Sequence, residues 1–258
     1  MERVLIGRIR EHLNETILIQ GFVDNFRNSS KMAFIVLKDI TGKVQVTVEK
    51  ELHQDLLEAL DQITPDSVIS VTGVCSESEY VKLNGLEVIP ETIVVESVAA
   101  ALPIQREEIP ATKKKPAVPK SGVDERLDYR WIDLRTDKNQ LLFKLQTAIT
   151  RALRDFVLDR EFIEVHTPKL IATASESGSE VFEVSYFERK AYLAQSPQFY
   201  KQMAMAAGFD RIFEVGPVFR AEKSFTNKHA TEFTGFDVEM SYITSFRDVM
   251  AFEAELLQ

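Results

Sequence analysis

Pro103, Pro110, Pro116 and Pro119 interrupt the chain around the lysine run Lys113-Lys114-Lys115. A proline fixes φ and lacks the amide donor, so neither a continuous helix nor an interior strand can pass through such a stretch. The 258-residue chain is therefore expected to fold as two bodies joined by an extended basic linker. We place the first body at residues 1–102, the linker and hinge at 103–135 and the second body at 136–258. A basic linker is ordinarily just solvated; it also offers cations to a phosphate backbone.

The first body reads as short β-branched strands at 16–22, 34–37, 44–48, 67–73 and 86–97. Thr41-Gly42 turns the second strand into the third, and Leu52, Leu56, Leu57 and Leu60 mark a helix over 51–60. Five short strands with a helix after the third match a small Greek-key barrel of the OB type. The net charge of −9 argues against a nucleic-acid partner. Its distribution is uneven: residues 1–50 carry eight Lys/Arg against six Asp/Glu, and residues 51–100 one against ten. A polyanion would have to meet the first half of the barrel. Charge alone favours a solvated acidic protein with no such partner.

In the second body, Leu142, Leu145, Ile149, Leu153, Phe156 and Val157 fall on one face of a helix over 139–160. A strand at 162–165 ends at Pro168, and a second helix covers 198–207. Strands at 211–219 and 233–242 form a hairpin with a polar tip, followed by a helix from 246. The hairpin holds the densest chemistry. Arg220 offers a guanidinium fork to a carboxylate or phosphate, and Glu222 points the same way if the strand continues. Lys228 and His229 add cations in the loop, and Phe233 adds a ring. Asp237 and Glu239 share a face by the two-residue period of a strand. The set suits a nucleoside triphosphate; by spacing alone, ordinary surface pairs on a charged hairpin tip read equally well. Cys75 is the only cysteine, which excludes an intrachain disulfide and a cysteine metal site and makes a reducing cytoplasm the default. No apolar run reaches the ~18 residues of a membrane span, and no secretory signal is apparent.

These motifs resemble the class II aminoacyl-tRNA synthetases. Phe219-Arg220-Ala221-Glu222 with Phe233 on the return strand looks like motif 2. The run EFIEVHTP at 161–168 looks like motif 1, with Pro168 as its marker proline at the dimer interface. The run DERLDYRWIDLR at 124–135 resembles the hinge signature of the aspartate/asparagine/lysine subgroup. Within it, TASESGSE at 173–180 and AQSPQFYKQ at 194–202 are similar to the aspartate-site loop and recognition helix of the archaeal and eukaryotic-type aspartyl-tRNA synthetases. A lone helix lysine such as Lys201 would normally be solvated; in this motif it answers the need of a buried substrate carboxylate for a cation.

The resemblance implies an α+β chain: a five-stranded OB-type barrel and a class II antiparallel sheet with helices, ending before the glycine-rich third motif. It implies activation of L-aspartate by ATP with Mg²⁺, transfer to tRNA(Asp), with tRNA(Asn) as a further candidate, and a homodimer off the membrane. Arg220 would clamp substrate carboxylate and α-phosphate. Glu222, Lys228, His229, Ala230 and Phe233 would hold the rest of ATP, and Glu176, Gln198, Lys201 and Asp237 the aspartate. Glu239 would serve the metal or the tRNA end, and no residue is certain for the metal. Arg27, Phe34, Gln45 and Glu87 would read the anticodon, with Phe34 as a core residue and the others as surface being the plain alternatives. The competing readings are an asparaginyl- or lysyl-type enzyme, and a non-catalytic tRNA-binding paralogue. Without the third motif, the 258 residues alone are expected to be inactive.

Overall fold

The computed structural model describes residues 1–111, 116–173, 181–223, 226 and 229–258. It divides into two compact units, Met1–Leu141 and Leu142–Gln258.

In the first unit a 3₁₀ segment, Ile6–His12, precedes β1 (Thr16–Asn28), β2 (Met32–Lys38) and β3 (Lys43–Glu49). Helix α1 (Leu57–Gln62) leads to β4 (Val68–Glu77) and β5 (Leu86–Ser97). The strands close into a barrel in the order β1-β2-β3-β5-β4. Closure bends the strands: β1–β2 carries a register shift at Val23/Asn25, and β4–β5 carries shifts at Val68/Ile69 and Thr72/Gly73. The strands approach so closely there that a Cβ on Gly21 would lie 2.2 Å from the Lys38 carbonyl oxygen, and one on Gly73 2.2 Å from that of Ile89. Alternation fills the interior: Ala33, Ile35 and Leu37 of β2 and Val44, Val46 and Val48 of β3 are all buried.

Three elements of this unit differ from the sequence reading. β4 runs on to Glu77, four residues past the expected end, because Val74–Glu77 pair with Leu86–Ile89 of β5. β1 runs on to Asn28, six residues past the expected end, because Asn25–Asn28 pair with Ala33–Val36 of β2. The helix expected over 51–60 starts later, after a 3₁₀ turn at Gln54–Leu56. The amides of Leu52 and His53 both donate to the Glu49 carbonyl, so the chain first turns off β3, and Leu52 is left 72% exposed.

Between barrel and hinge, Ile104 is buried and Arg106 forks onto both oxygens of the buried Asp66 at 2.9 and 2.7 Å. The hinge forms α2 (Val123–Asp128) and α3 (Arg130–Asp133). It folds on Asp133, which is fully buried and receives Arg130 at 2.6 Å, Arg126 at 3.4 Å and Asn139 at 2.9 Å. Helix α4 (Asp137–Leu158) follows. Lys38 reaches Asp137 at 2.6 Å, and Lys43 lies 2.8 Å from both Asp137 and Asp24. Burial pushes the Asp137 carboxyl up, but the bonds from Lys38 and Lys43 outweigh it and hold it below its usual range.

The second unit contains β6 (Ile163–Glu164), β7 (Leu170–Ile171), β8 (Glu183–Tyr186), β9 (Arg189–Leu193), α5 (Gln198–Ala206), β10 (Arg211–Phe219), β11 (Glu232–Met240) and α6 (Phe246–Leu256). One sheet has the order β11-β10-β6 and the other β7-β9-β8. Val157, Phe162 and Phe213 form the core, with Phe236, Val238, Met240 and Phe252 packed around it. The apolar face of α4 is buried only near its end, at Val157; Leu142, Leu145 and Ile149 are at least half exposed. Periodicity identified the stripe, and within the described chain nothing covers its first half. Strand β11 stops at Met240 rather than 242: the Ser241 amide still donates to the Asp210 carbonyl, and Tyr242 then turns the chain with a φ of 57°.

Asp39 ties the barrel's β2–β3 turn to its N-terminal segment. Its Oδ1 accepts from the Thr41 amide and hydroxyl and the Gly42 amide, and its Oδ2 from the Ile6 amide at 2.9 Å. Burial alone would raise this carboxyl, but the four bonds together hold it below its ordinary 3.8. The stabilisation is thus fully present above that value and is lost as pH falls through the lower folded value. We predict that Asp39→Asn costs the barrel roughly 1.5–3 kcal/mol at neutral pH. The gap to the parent should narrow in urea melts taken below about pH 4.

Candidate active site and nucleic-acid interface

Strands β10 and β11 pair without a slip from Arg211↔Met240 to Phe219↔Glu232. Directly opposed residues of an antiparallel pair face the same side. One face therefore carries Phe213 with Val238 and Val215 with Phe236, and packs into the core. The other face carries Glu214 with Asp237, Gly216 with Gly235, and Val218 with Phe233. The paired glycines add no side chain of their own to the middle of that face, a floor between a polar end and an aromatic end; Lys169 reaches over Gly216 and Asp237 over Gly235, to 3.4 and 3.3 Å from where a Cβ would stand.

Lys201, on α5, meets the polar end. Its side chain is 7% exposed, and its ammonium lies 3.0 Å from Asp237 Oδ1, 3.2 Å from Glu239 Oε2 and 3.3 Å from the Val238 carbonyl. Gln198 stands one turn earlier on the same helix and is half-buried. At the aromatic end, the Arg220 guanidinium lies 5.5 Å from the centroid of the Phe233 ring. The Arg220 amide donates to the Thr231 carbonyl at 2.9 Å, extending the hairpin past the strand. Its Nε is buried with no hydrogen-bond partner among the described residues, an arrangement that costs free energy unless a ligand supplies an acceptor.

Strand β10 ends at Phe219, so alternation does not carry to Glu222. Glu222 instead lies 3.7 Å from His229 Nε2, whose Nδ1 is 2.6 Å from the Thr226 hydroxyl. Ala230 is exposed beside it. Glu176 and Lys228 lie outside the described residues.

Sequence reasoning passed over Glu214. It is 3% exposed, accepts from the Thr167 amide and hydroxyl at 2.8 and 2.7 Å, and meets Lys169 Nζ at 2.9 Å. It thus grips both neighbours of the exposed Pro168. The backbone continues the tie: Ala194 donates to the Lys169 carbonyl, and Phe219, next to Arg220, donates to the Ala194 carbonyl, both at 2.9 Å. A glutamate between Phe213 and Val215 carries no local signal that it is buried.

On the barrel, Arg27, Phe34, Gln45 and Glu87 line one cleft of about 470 Å³, with Tyr80 from the β4–β5 loop at its rim. Phe34 lies between the buried Ala33 and Ile35 and is half-buried on the outer face, so it is not a core residue. Arg27 pairs with Phe34 across β1–β2, and Gln45 with Glu87 across β3–β5. Thr47 joins the polar members: it accepts from Gln45 at 3.0 Å and donates to Glu87 at 2.5 Å. A ring flanked by an amide, a carboxylate and a guanidinium suits an unstacked base.

Residues 122–258 match the family described as tRNA synthetases class II (D, K and N), and residues 17–96 match the OB-fold nucleic acid binding domain. The chain belongs to the class II tRNA synthetases of the D, K and N group. It is 45% identical over 249 residues to an aspartate–tRNA(Asp/Asn) ligase of Methanopyrus kandleri, covering 96% of this chain and 56% of that protein. An aspartate–tRNA(Asp) ligase of Pyrococcus horikoshii is 40% identical over 246 residues, 95% of this chain and 54% of its own length. The chain thus spans about half the length of the curated relatives it matches. Among solved structures, asparaginyl-tRNA synthetase from Pyrococcus horikoshii complexed with asparaginyl-adenylate superposes with a TM-score of 0.87. It shares 28% identity and covers all of this chain and 57% of its own.

Removing the Glu214 carboxylate would leave Lys169 without its buried partner. We predict that Glu214→Ala destabilises the second unit by roughly 3 kcal/mol. The loss should appear in the melting transition of that unit while the barrel transition stays in place.

Proposed function

We propose that the protein is an aspartate–tRNA ligase. It activates L-aspartate with ATP to aspartyl-adenylate and transfers the aspartyl group to tRNA(Asp). We extend the acceptor to tRNA(Asn) because the relative at 45% identity is named for both. The observation that carries the amino-acid choice is Lys201, a buried cation on the glycine-floored face of β10–β11. An aspartate side chain needs such a cation to leave water; an asparagine side chain does not.

An oxygen of the aspartate α-carboxylate attacks the α-phosphorus in line. The new O–P bond forms as the bond to pyrophosphate breaks, and no side-chain nucleophile takes part. Catalysis then rests on positioning and on stabilising developing charge. Arg220, whose buried Nε lacks an acceptor among the described residues, holds the α-carboxylate and α-phosphate together. Phe233 stacks on adenine, Glu222 accepts from its amino group, and His229 and Ala230 meet the outer phosphates. In the same reading Lys228 serves the phosphates and Glu176 the amino-acid ammonium. Gln198 and Asp237 orient the aspartate beside Lys201. ATP brings its Mg²⁺; among the described residues no group of three or more His, Cys, Asp or Glu could hold a metal, and no step is assigned to one. The barrel cleft takes the anticodon, with Phe34 stacking and Arg27, Gln45 and Glu87 reading edges. Among the described residues no helix is long and apolar enough to cross a membrane, and we place the protein in the cytoplasm.

The half-exposed Leu142, Leu145 and Ile149 on α4, with Pro168 exposed, support a homodimer built on this face. Sedimentation of the full-length protein should give a dimer, and Leu145→Glu with Ile149→Glu should give monomers; a monomeric parent would contradict the proposal. Lys201→Met should raise the KM for aspartate by about 100-fold, the equivalent of ~3 kcal/mol for a broken buried pair, and leave the KM for ATP unchanged. Phe34→Ala should weaken an anticodon stem-loop by roughly 1–3 kcal/mol, the value of one stacked base, with aspartate activation intact.

A further inference from the structure

Lys201 is already engaged. Its ammonium donates to Asp237 Oδ1 at 3.0 Å and to the Val238 carbonyl at 3.3 Å, and Glu239 Oε2 pairs with it at 3.2 Å. Two carboxylates on one lysine also leave the group with a net charge of −1. A substrate carboxylate entering here meets an engaged cation and excess negative charge, so one partner must yield. The Val238 oxygen belongs to the main chain of β11, held in register by its pairing with β10, and cannot swing away. Asp237, on its short stem, donates its position to the glycine floor, with Oδ2 lying where a Cβ on Gly235 would come within 3.3 Å. The two carboxylates are about equally exposed, 30% for Asp237 and 27% for Glu239; Glu239 has one more methylene and makes only an ion pair to Lys201 where Asp237 also accepts a hydrogen bond, so Glu239 is the one that can swing to water at the smaller cost.

We propose that Glu239 is a specificity-determining residue: its carboxylate occupies Lys201 until the aspartate side chain displaces it, and so sets the aspartate-to-asparagine preference. This rests on the reading that Lys201 receives the substrate side chain. Displacement makes the site's preference a balance between two carboxylates rather than the full attraction of a bare lysine. A neutral amide gains nothing from Lys201 that would evict Glu239, and a carboxylate gains the ion pair less the cost of that eviction.

The test is calorimetric titration of L-aspartate, and of L-asparagine as the neutral control, into the full-length protein and its variants. E239Q keeps the shape and removes the competing charge. The pair is partly exposed and screened, so the Kd for aspartate should fall roughly two- to fivefold. The Kd for asparagine should not fall, and the ratio between the two should shift towards aspartate by the same factor. E239D keeps the charge but draws it back by one methylene, and should lie between the parent and E239Q; it remains informative if E239Q does not fold. An unchanged or weaker aspartate affinity in E239Q, or an effect confined to ATP, would overturn the role given to Glu239. K201M separates the two layers. If it leaves aspartate binding intact, the underlying site reading fails; if it abolishes binding while E239Q shows no tightening, only the displacement fails.

Discussion

The unslipped pairing of β10 with β11 is the constraint on which the rest of the second unit depends. A shift by one residue would exchange the two faces. It would bring Phe236 and Val238 out of the core and bury Asp237 and Glu239 among Phe162 and Phe213. The same pairing sets Gly216 against Gly235, which opens the floor between Phe233 and Lys201. It also places Glu214 where it can hold Thr167 and Lys169. A hydrophobic face that fixes the register thereby positions every polar group on the opposite face.

The barrel shows the same logic in a closed sheet. Alternation sends Ala33, Ile35 and Leu37 inward and leaves Phe34 and Val36 on the outside. The aromatic residue in the outer cleft is therefore a consequence of the packing inside. Ion pairs then fasten the hinge: Arg106 and Arg135 on Asp66, and Lys38 and Lys43 on Asp137. Each unites a cation and an anion far apart in sequence, and the bidentate Arg106–Asp66 pair adds fixed geometry to charge.

The barrel was legible because its signals are local. Period-two alternation and the Thr41-Gly42 turn mark β2 and β3, and β5 falls at 86–97 as read from its β-branched run. The hairpin and its residues were legible through motif spacing. The β7-β9-β8 sheet was not: β7 is two residues long, too short for any period, and its pairing with β9 is a tertiary fact. Leu52 misled because helical spacing does not reveal that the Glu49 carbonyl captures the next two amides. The α4 stripe showed a face but not what covers it. That Glu214 is buried, and that Lys201 is already shared by two carboxylates, became visible only when the β10–β11 face was assembled.

The central claim is that the charge of Lys201 selects an acidic amino acid for activation beside Arg220. The most direct measurement is ATP–pyrophosphate exchange by the full-length protein with aspartate, asparagine and lysine supplied in turn. The account predicts exchange that depends on aspartate and is near background with the other two. Exchange driven by asparagine or lysine would contradict it.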